Sequence, residues 1–152
     1  MNYIDLQIAT ESAHPDAEQF QTWVDSALSG FERDSEVTIR LVGVAESAEL
    51  NSQYRHKSGP TNILSFPFEA PPGVALDLLG DLVICAPVLA REAAEQGKLP
   101  EHHWAHITVH GVLHLLGYDH IEEQDAEQME ALEIDILSRL NIANPYLEDS
   151  KQ

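Results

Sequence analysis

The stretch His110-Gly111-Val112-Leu113-His114-Leu115-Leu116-Gly117-Tyr118-Asp119-His120 concentrates the groups able to do chemistry. Residues four apart on a helix share a face, with Cβ atoms about 5–6 Å apart. His110 and His114 can therefore reach one ion from one helix. Gly117 suits the end of that helix, because glycine accepts the left-handed conformation of a terminus. The chain then reverses and can bring His120 over the first two imidazoles. Three histidines on a divalent ion leave one position for water, the layout of a catalytic zinc site. A closed structural site would want a fourth ligand, usually Cys, and Cys85 sits in an apolar run. One zinc per chain, held by His110, His114 and His120, is the expectation. His106 is four before His110 and offers an alternative pair. Three histidines at that repeat spread over two turns, so His106 is read as a support of a ligand or as packing. A lone histidine on an apolar helix is ordinarily a packed side chain. His102 and His103 are weaker candidates for that reason, and His14 and His56 carry no ligand expectation.

The spacing H-x-x-x-H-x-x-G-x-x-H resembles the metzincin peptidase pattern, in which Glu directly follows the first His as general base. Here that position is Gly111, which cannot take a proton. The ligand half of the motif is present and the base is absent. This argues against peptide hydrolysis and for a chemistry in which the ion's own water suffices, since zinc can lower that water's pKa to about 7.

Charge gives a second signal. Lys plus Arg is 8 and Asp plus Glu is 26, a formal net charge of -18. The field of such a chain as a whole repels nucleic acid, so any phosphate chemistry needs positive charge gathered locally or brought by a metal. Residues 101–152 carry 11 acids and 2 bases, whereas residues 50–68 carry no acid and include Arg55, His56 and Lys57. Arg55 alone could be a helix-end base, favourable against the dipole. Arg is also the side chain that grips phosphate bidentately.

These groups need elements to hold them. Alternation predicts strands at Tyr3–Ile8 and Glu36–Val42. A helix starting at Pro15 carries the stripe Phe20, Trp23, Val24 and Ala27 and ends near Gly30. A short helix over 47–57 has Leu50 and Tyr54 on one side and stops at Ser58-Gly59-Pro60. Thr61–Phe66 is β-rich, 69–73 reads as a loop, and Leu82–Cys85 as a short buried strand. Helices follow over 86–96, over Pro100–Leu116, apolar nearly all round, and over 123–140. In the last, Met129, Leu132, Ile136 and Leu140 face the core and the acids face solvent. The order β-α-β-α-β-β-α-α-α does not alternate strictly. It predicts one α+β domain over residues 1–152, a small mixed sheet of about four strands packed with about five helices. The metal site falls on the central helix and the turn after it. One cysteine, no long apolar run and no basic leader give a cytoplasmic address and no membrane as expectations.

Two segments together resemble the YbeY family of bacterial endoribonucleases that mature ribosomal RNA. One is His110-Gly111-x-x-His114-Leu115-x-Gly117-Tyr118-Asp119-His120. The other is Asn51-x-x-Tyr54-Arg55-x-Lys57-x-x-x-Thr61-Asn62-x-Leu64-Ser65-Phe66. Gly80–Cys85 fits the family's intervening strand, and Asn62 stands where many relatives have Asp. The resemblance implies zinc on His110, His114 and His120, an essential Arg55 near the metal, and cleavage of single-stranded RNA. It also implies 16S rRNA 3′-end maturation, ribosome quality control, and contact with the small ribosomal subunit and its proteins. A ribosome-assembly GTPase is a further candidate partner. Asp81 and Asp119 are candidate orienters of a ligand imidazole, with ordinary turn roles as the alternative. Two rival readings stand beside this one. They are a zinc hydrolase of a peptide or amide, and a ribosome-docking module whose zinc is structural and whose acidic last helix meets a basic protein.

Overall fold

The computed structural model describes residues 2–30, 34–69, 72–73, 77–118 and 123–146. Its elements among these are β1 Tyr3–Ala9, α1 Ala17–Ala27, β2 Glu36–Val42, α2 Val44–Arg55, β3 Ile63–Pro67, β4 Leu78–Cys85, α3 Ala86–Gln96, α4 Pro100–Leu115 and α5 Glu123–Arg139. The sheet order is β1-β2-β4-β3. β1, β2 and β4 run parallel, and β3 closes one edge antiparallel to β4. This is the α+β domain with a four-strand mixed sheet that the pattern of elements predicts.

Alternation sorts the sheet into two faces. Val37, Ile39, Leu41, Leu82, Ile84 and Ile63 turn to the larger core, under α1, α4 and α5. Val42, Leu64, Val83 and Cys85 turn the other way, where Val88 and Leu50 cover them. Helix α1 starts on a capping box in which Asp16 and Gln19 satisfy each other's backbone N–H groups. It buries Phe20, Trp23, Val24 and Ala27, the stripe read from the sequence. Helix α4 opens with Pro100 at its first position and is buried along most of its length. It sits close on the sheet because position 111 has no side chain. A Cβ there would lie 2.6 Å from Ile63 Cδ1 and 2.8 Å from Leu82 Cδ2. The helix stops at Gly117, whose φ is +104.

Three expectations need correction. Strand β4 begins at Leu78, four residues before the expected start at Leu82. Gly80 hides this in the sequence by interrupting the apolar run. A Cβ at Gly80 would stand 2.5 Å from the Phe66 carbonyl oxygen, so the strand needs glycine there. Helix α2 runs over Val44–Arg55 and ends where His56 takes the left-handed conformation. Its buried residues are the polar Ser47 and Asn51, while Tyr54 is 56% exposed. Ser47 Oγ bonds both backbone groups of Thr61 at 3.0 Å, and Asn51 Nδ2 donates to the Gly59 carbonyl at 2.9 Å. These bonds tie the body of α2 to the loop that leads into β3. Finally, not all acids of α5 face solvent, since Glu133 is 0% exposed.

Candidate active site

Helix α4 turns His110 and His114 to one side, a turn apart. Their Nε2 atoms are 3.0 Å apart. Two imidazole nitrogens at that distance share either one proton or one cation. Zinc–nitrogen bonds of about 2.0–2.1 Å in tetrahedral geometry set two ligand nitrogens about 3.3 Å apart, so the pair is near ligand spacing. The other nitrogen of His110, Nδ1, faces Glu133 Oε1 at 3.0 Å. An ionised carboxylate only accepts, so Nδ1 carries the hydrogen and Nε2 keeps its lone pair. That is the tautomer a metal ligand needs, and the carboxylate behind it is the usual second partner of such a ligand.

Glu133 is held on both oxygens. His106 Nε2–H donates to Oε2 at 2.7 Å, and the Tyr146 hydroxyl donates to the same oxygen at 2.7 Å. Burial pushes the Glu133 carboxyl up, but the hydrogen bonds from His106 and His110 outweigh it and hold the pKa down at about 2. The group is ionised at neutral pH. Burial, joined by the charges of Lys98 and His110, outweighs Glu133 and lowers the pKa of His106, which favours the neutral donor at neutral pH. His106 therefore supports the carboxylate that supports His110. Its ring lies 6.3 Å from that of His110, against 4.5 Å between His110 and His114.

Glu133 and Tyr146 are the site residues that sequence reasoning missed. A signal for Glu133 existed. It lies four after Met129 and three before Ile136, on the stripe that packs into the core. A carboxylate on an apolar stripe needs a buried partner.

A cavity of about 510 Å³ opens between the end of α2, strand β3 and α4, and Arg55, His110 and His114 all line it. Arg55 is the last residue of α2 and exposed. Among the described residues it has no carboxylate partner, whereas Arg40 is paired with Glu46 at 2.7 Å and Arg139 with Asp135 at 3.3 Å. The fold thus joins the two signals that lie 55 residues apart in the chain, at Arg55 and His110.

His120 and Asp119 lie outside the described residues. Among the described residues no group of three His, Cys, Asp or Glu side chains is placed to hold a metal ion. His56 and Lys57 are exposed beyond the cavity lining, and Asp81 is exposed. Cys85 is fully buried in the smaller apolar cluster, across the sheet from the α4 histidines. His103 is buried and binds Glu92 Oε1 through Nε2 at 2.8 Å. Asn62 Nδ2 approaches the same carboxylate at 3.4 Å, and Asn62 Oδ1 accepts from the Ile63 N–H at 2.7 Å. An aspartate at position 62 would set a second carboxylate against Glu92. The amide donates instead, which suits Asn at this wall of the cavity.

The chain matches the model of the family described as Endoribonuclease YbeY over residues 5–141. It also resembles the solution structure of a Thermotoga maritima protein, with a TM-score of 0.58 and 22% sequence identity. That likeness covers 97% of this chain and 99% of the other, and it extends the agreement in fold to nearly all of both. With the family match spanning both motifs and the elements that bring them together, the chain belongs to the YbeY family and is an endoribonuclease of ribosomal RNA processing.

Proposed function

We propose that the cavity between α2, β3 and α4 is the active site of a zinc-dependent endoribonuclease acting on single-stranded RNA. The observation that carries this is the pair of Nε2 atoms 3.0 Å apart in the same cavity as the Arg55 guanidinium, which has no carboxylate partner among the described residues. His110 and His114, joined by His120, would hold the ion. Two imidazoles already converge, and one has its tautomer fixed by Glu133, so this donor set fits zinc. A zinc ion so held would supply Lewis acidity and would lower the pKa of a water toward neutrality.

The chain's own residues do the rest. Arg55 grips the scissile phosphate and offsets negative charge as it develops in the transition state. Glu133 keeps the Nδ1 proton of His110 and so keeps Nε2 aimed at the cavity. His106 and Tyr146 keep Glu133 in place from its other oxygen. Gly111 faces Ile63 and Leu82 and brings no base, which disfavours peptide hydrolysis. The open cavity beside the pair disfavours a purely structural zinc. Within ribosomal RNA processing we assign the chain to 16S rRNA 3′-end maturation and ribosome quality control, in the cytoplasm. The small ribosomal subunit, its proteins and an assembly GTPase are the proposed partners.

The test compares cleavage of a single-stranded oligoribonucleotide by wild type, Arg55→Ala and a chelated sample. Loss in the variant and in the chelated sample supports the reading. Equal cleavage in all three would place the activity in a contaminant and return the docking module to the front.

A further inference from the structure

Tyr54 stands one residue before Arg55 and lines the same cavity. It is 56% exposed. Among the described residues its hydroxyl has no hydrogen-bond partner. The ring is not loose, because Phe66 braces it edge-on, with centroids 5.2 Å apart and an interplanar angle of 72°. Phe66 belongs to β3 and lines the same cavity. The result is a fixed aromatic ring, open to solvent, beside the guanidinium proposed for the phosphate.

The edge of β3 adds polar groups to the same wall. Cys85 N donates to Asn62 O at 2.9 Å, and Phe68 N to Leu79 O at 3.0 Å. In an antiparallel pair such bonded positions alternate, so Ile63, Ser65 and Pro67 direct their backbone groups away from β4. Pro67 has no N–H, and the Ile63 N–H is taken by Asn62. Ser65 therefore offers the outward N–H and C=O of this edge. The wall lies in the acid-free segment of a chain of net charge -18.

We infer that Tyr54 is the stacking platform for one unpaired base next to the cleaved phosphate, with the Ser65 backbone reading that base's edge. The inference rests on the proposed active site and adds to it a source of single-strand preference. A base can lie on an aromatic ring only when it has left its helix, and stacking tolerates any base because each has a π face. Arg55 holds the phosphate and Tyr54 holds the nucleoside beside it, so the two residues fix the strand at two points.

The experiment measures kcat and KM of the zinc-loaded full chain on a single-stranded oligoribonucleotide. The substrate is used intact and with an abasic residue at each position flanking the cut. In wild type one abasic position should raise KM about tenfold, a typical loss for one stacked base. Tyr54→Ala and Tyr54→Leu should raise KM on intact RNA by a similar factor, with kcat little changed. In both variants the abasic position should then cost nothing further. Tyr54→Phe and Tyr54→Trp should keep the wild-type pattern. An unchanged KM in Tyr54→Ala would overturn the inference, as would an abasic penalty that persists without the ring. Arg55→Ala in the same assay separates the two levels. Unaltered kcat in Arg55→Ala takes down the active-site reading and this inference together. A fall there with no change in the Tyr54 variants takes down the stacking alone. Zinc content and unfolding midpoint near wild type exclude misfolding as the cause of a raised KM.

Discussion

At the scale of single residues, two side chains carry most of the account. Arg55 should act on the transition state without binding metal, so Arg55→Ala should cut cleavage by about 10²-fold or more, the loss typical of one electrostatic contact. Arg55→Lys should recover only part of that, because an ammonium lacks the planar fork. Zinc content and unfolding midpoint measured on both variants should match wild type. Glu133 acts through His110. It is 0% exposed and accepts from His106, His110 and Tyr146. Glu133→Gln can accept on one oxygen but also presents an NH₂ to one of these donors. Zinc affinity should fall by about 10–100-fold, the range for losing the partner behind a ligand. Chelator competition reads that directly, and unchanged affinity would remove Glu133 from the site. The histidines were legible because ligand type and spacing sit within one helix and turn. Glu133 was hard to see because it belongs to a run rich in acids, and only its phase against Met129 and Ile136 separates it from the solvent-facing ones.

At the scale of elements, helix α4 is both the centre of the core and the carrier of the imidazoles. Its distance from the sheet is set by Gly111, whose Cβ would meet Ile63 and Leu82 inside 3 Å. Gly111→Ala should lower stability by about 1–3 kcal/mol, as overpacking does, measured by urea unfolding. Gly111→Glu should not yield a peptidase, because the new carboxylate would be driven into the sheet. The sequence showed Gly111 only as a missing base, since the packing reason lies in residues 48 and 29 positions earlier, Ile63 and Leu82. Element order and type were legible throughout. Boundaries failed where a local signal misled, as at Gly80 within β4 and at the polar residues that α2 buries. Helices α3 and α4 are joined by Glu92 and His103. Burial raises the Glu92 pKa, but His103, the Asn62 hydrogen bond and the charge of Arg91 together outweigh it, so the folded value lies below the ordinary 4.5. The unfolded chain then takes up the proton first. Stability from this pair is complete above about pH 4.5 and is lost as pH falls through the lower folded value. Glu92→Gln should flatten the acid limb of a stability–pH curve, and an unchanged limb would show that the pair contributes nothing.

For the whole molecule, the central tension is charge. On the proposed reading, a chain of net charge -18 would meet a polyanion through one acid-free segment, residues 50–68, and a divalent ion held by the histidines. Few cations are available to displace counterions, so RNA binding should weaken with salt on a shallow slope, measured by anisotropy across salt concentrations. Among the described residues no helix is long and apolar enough to cross a membrane. The fold's contribution is to tie α2 to the lead-in of β3 by the Ser47 and Asn51 bonds and to pack β3 against α4 at Gly111, so that Arg55 lines the same cavity as the imidazoles. That meeting was beyond the sequence, which gave both motifs and no distance between them. One measurement tests it most directly: a crystal structure of the full chain grown with zinc, with anomalous scattering recorded at the zinc edge. The account predicts one zinc peak on His110, His114 and His120, with its open coordination position facing the cavity that Arg55 lines. A zinc peak elsewhere, or a fourth protein ligand closing the site away from Arg55, would contradict it.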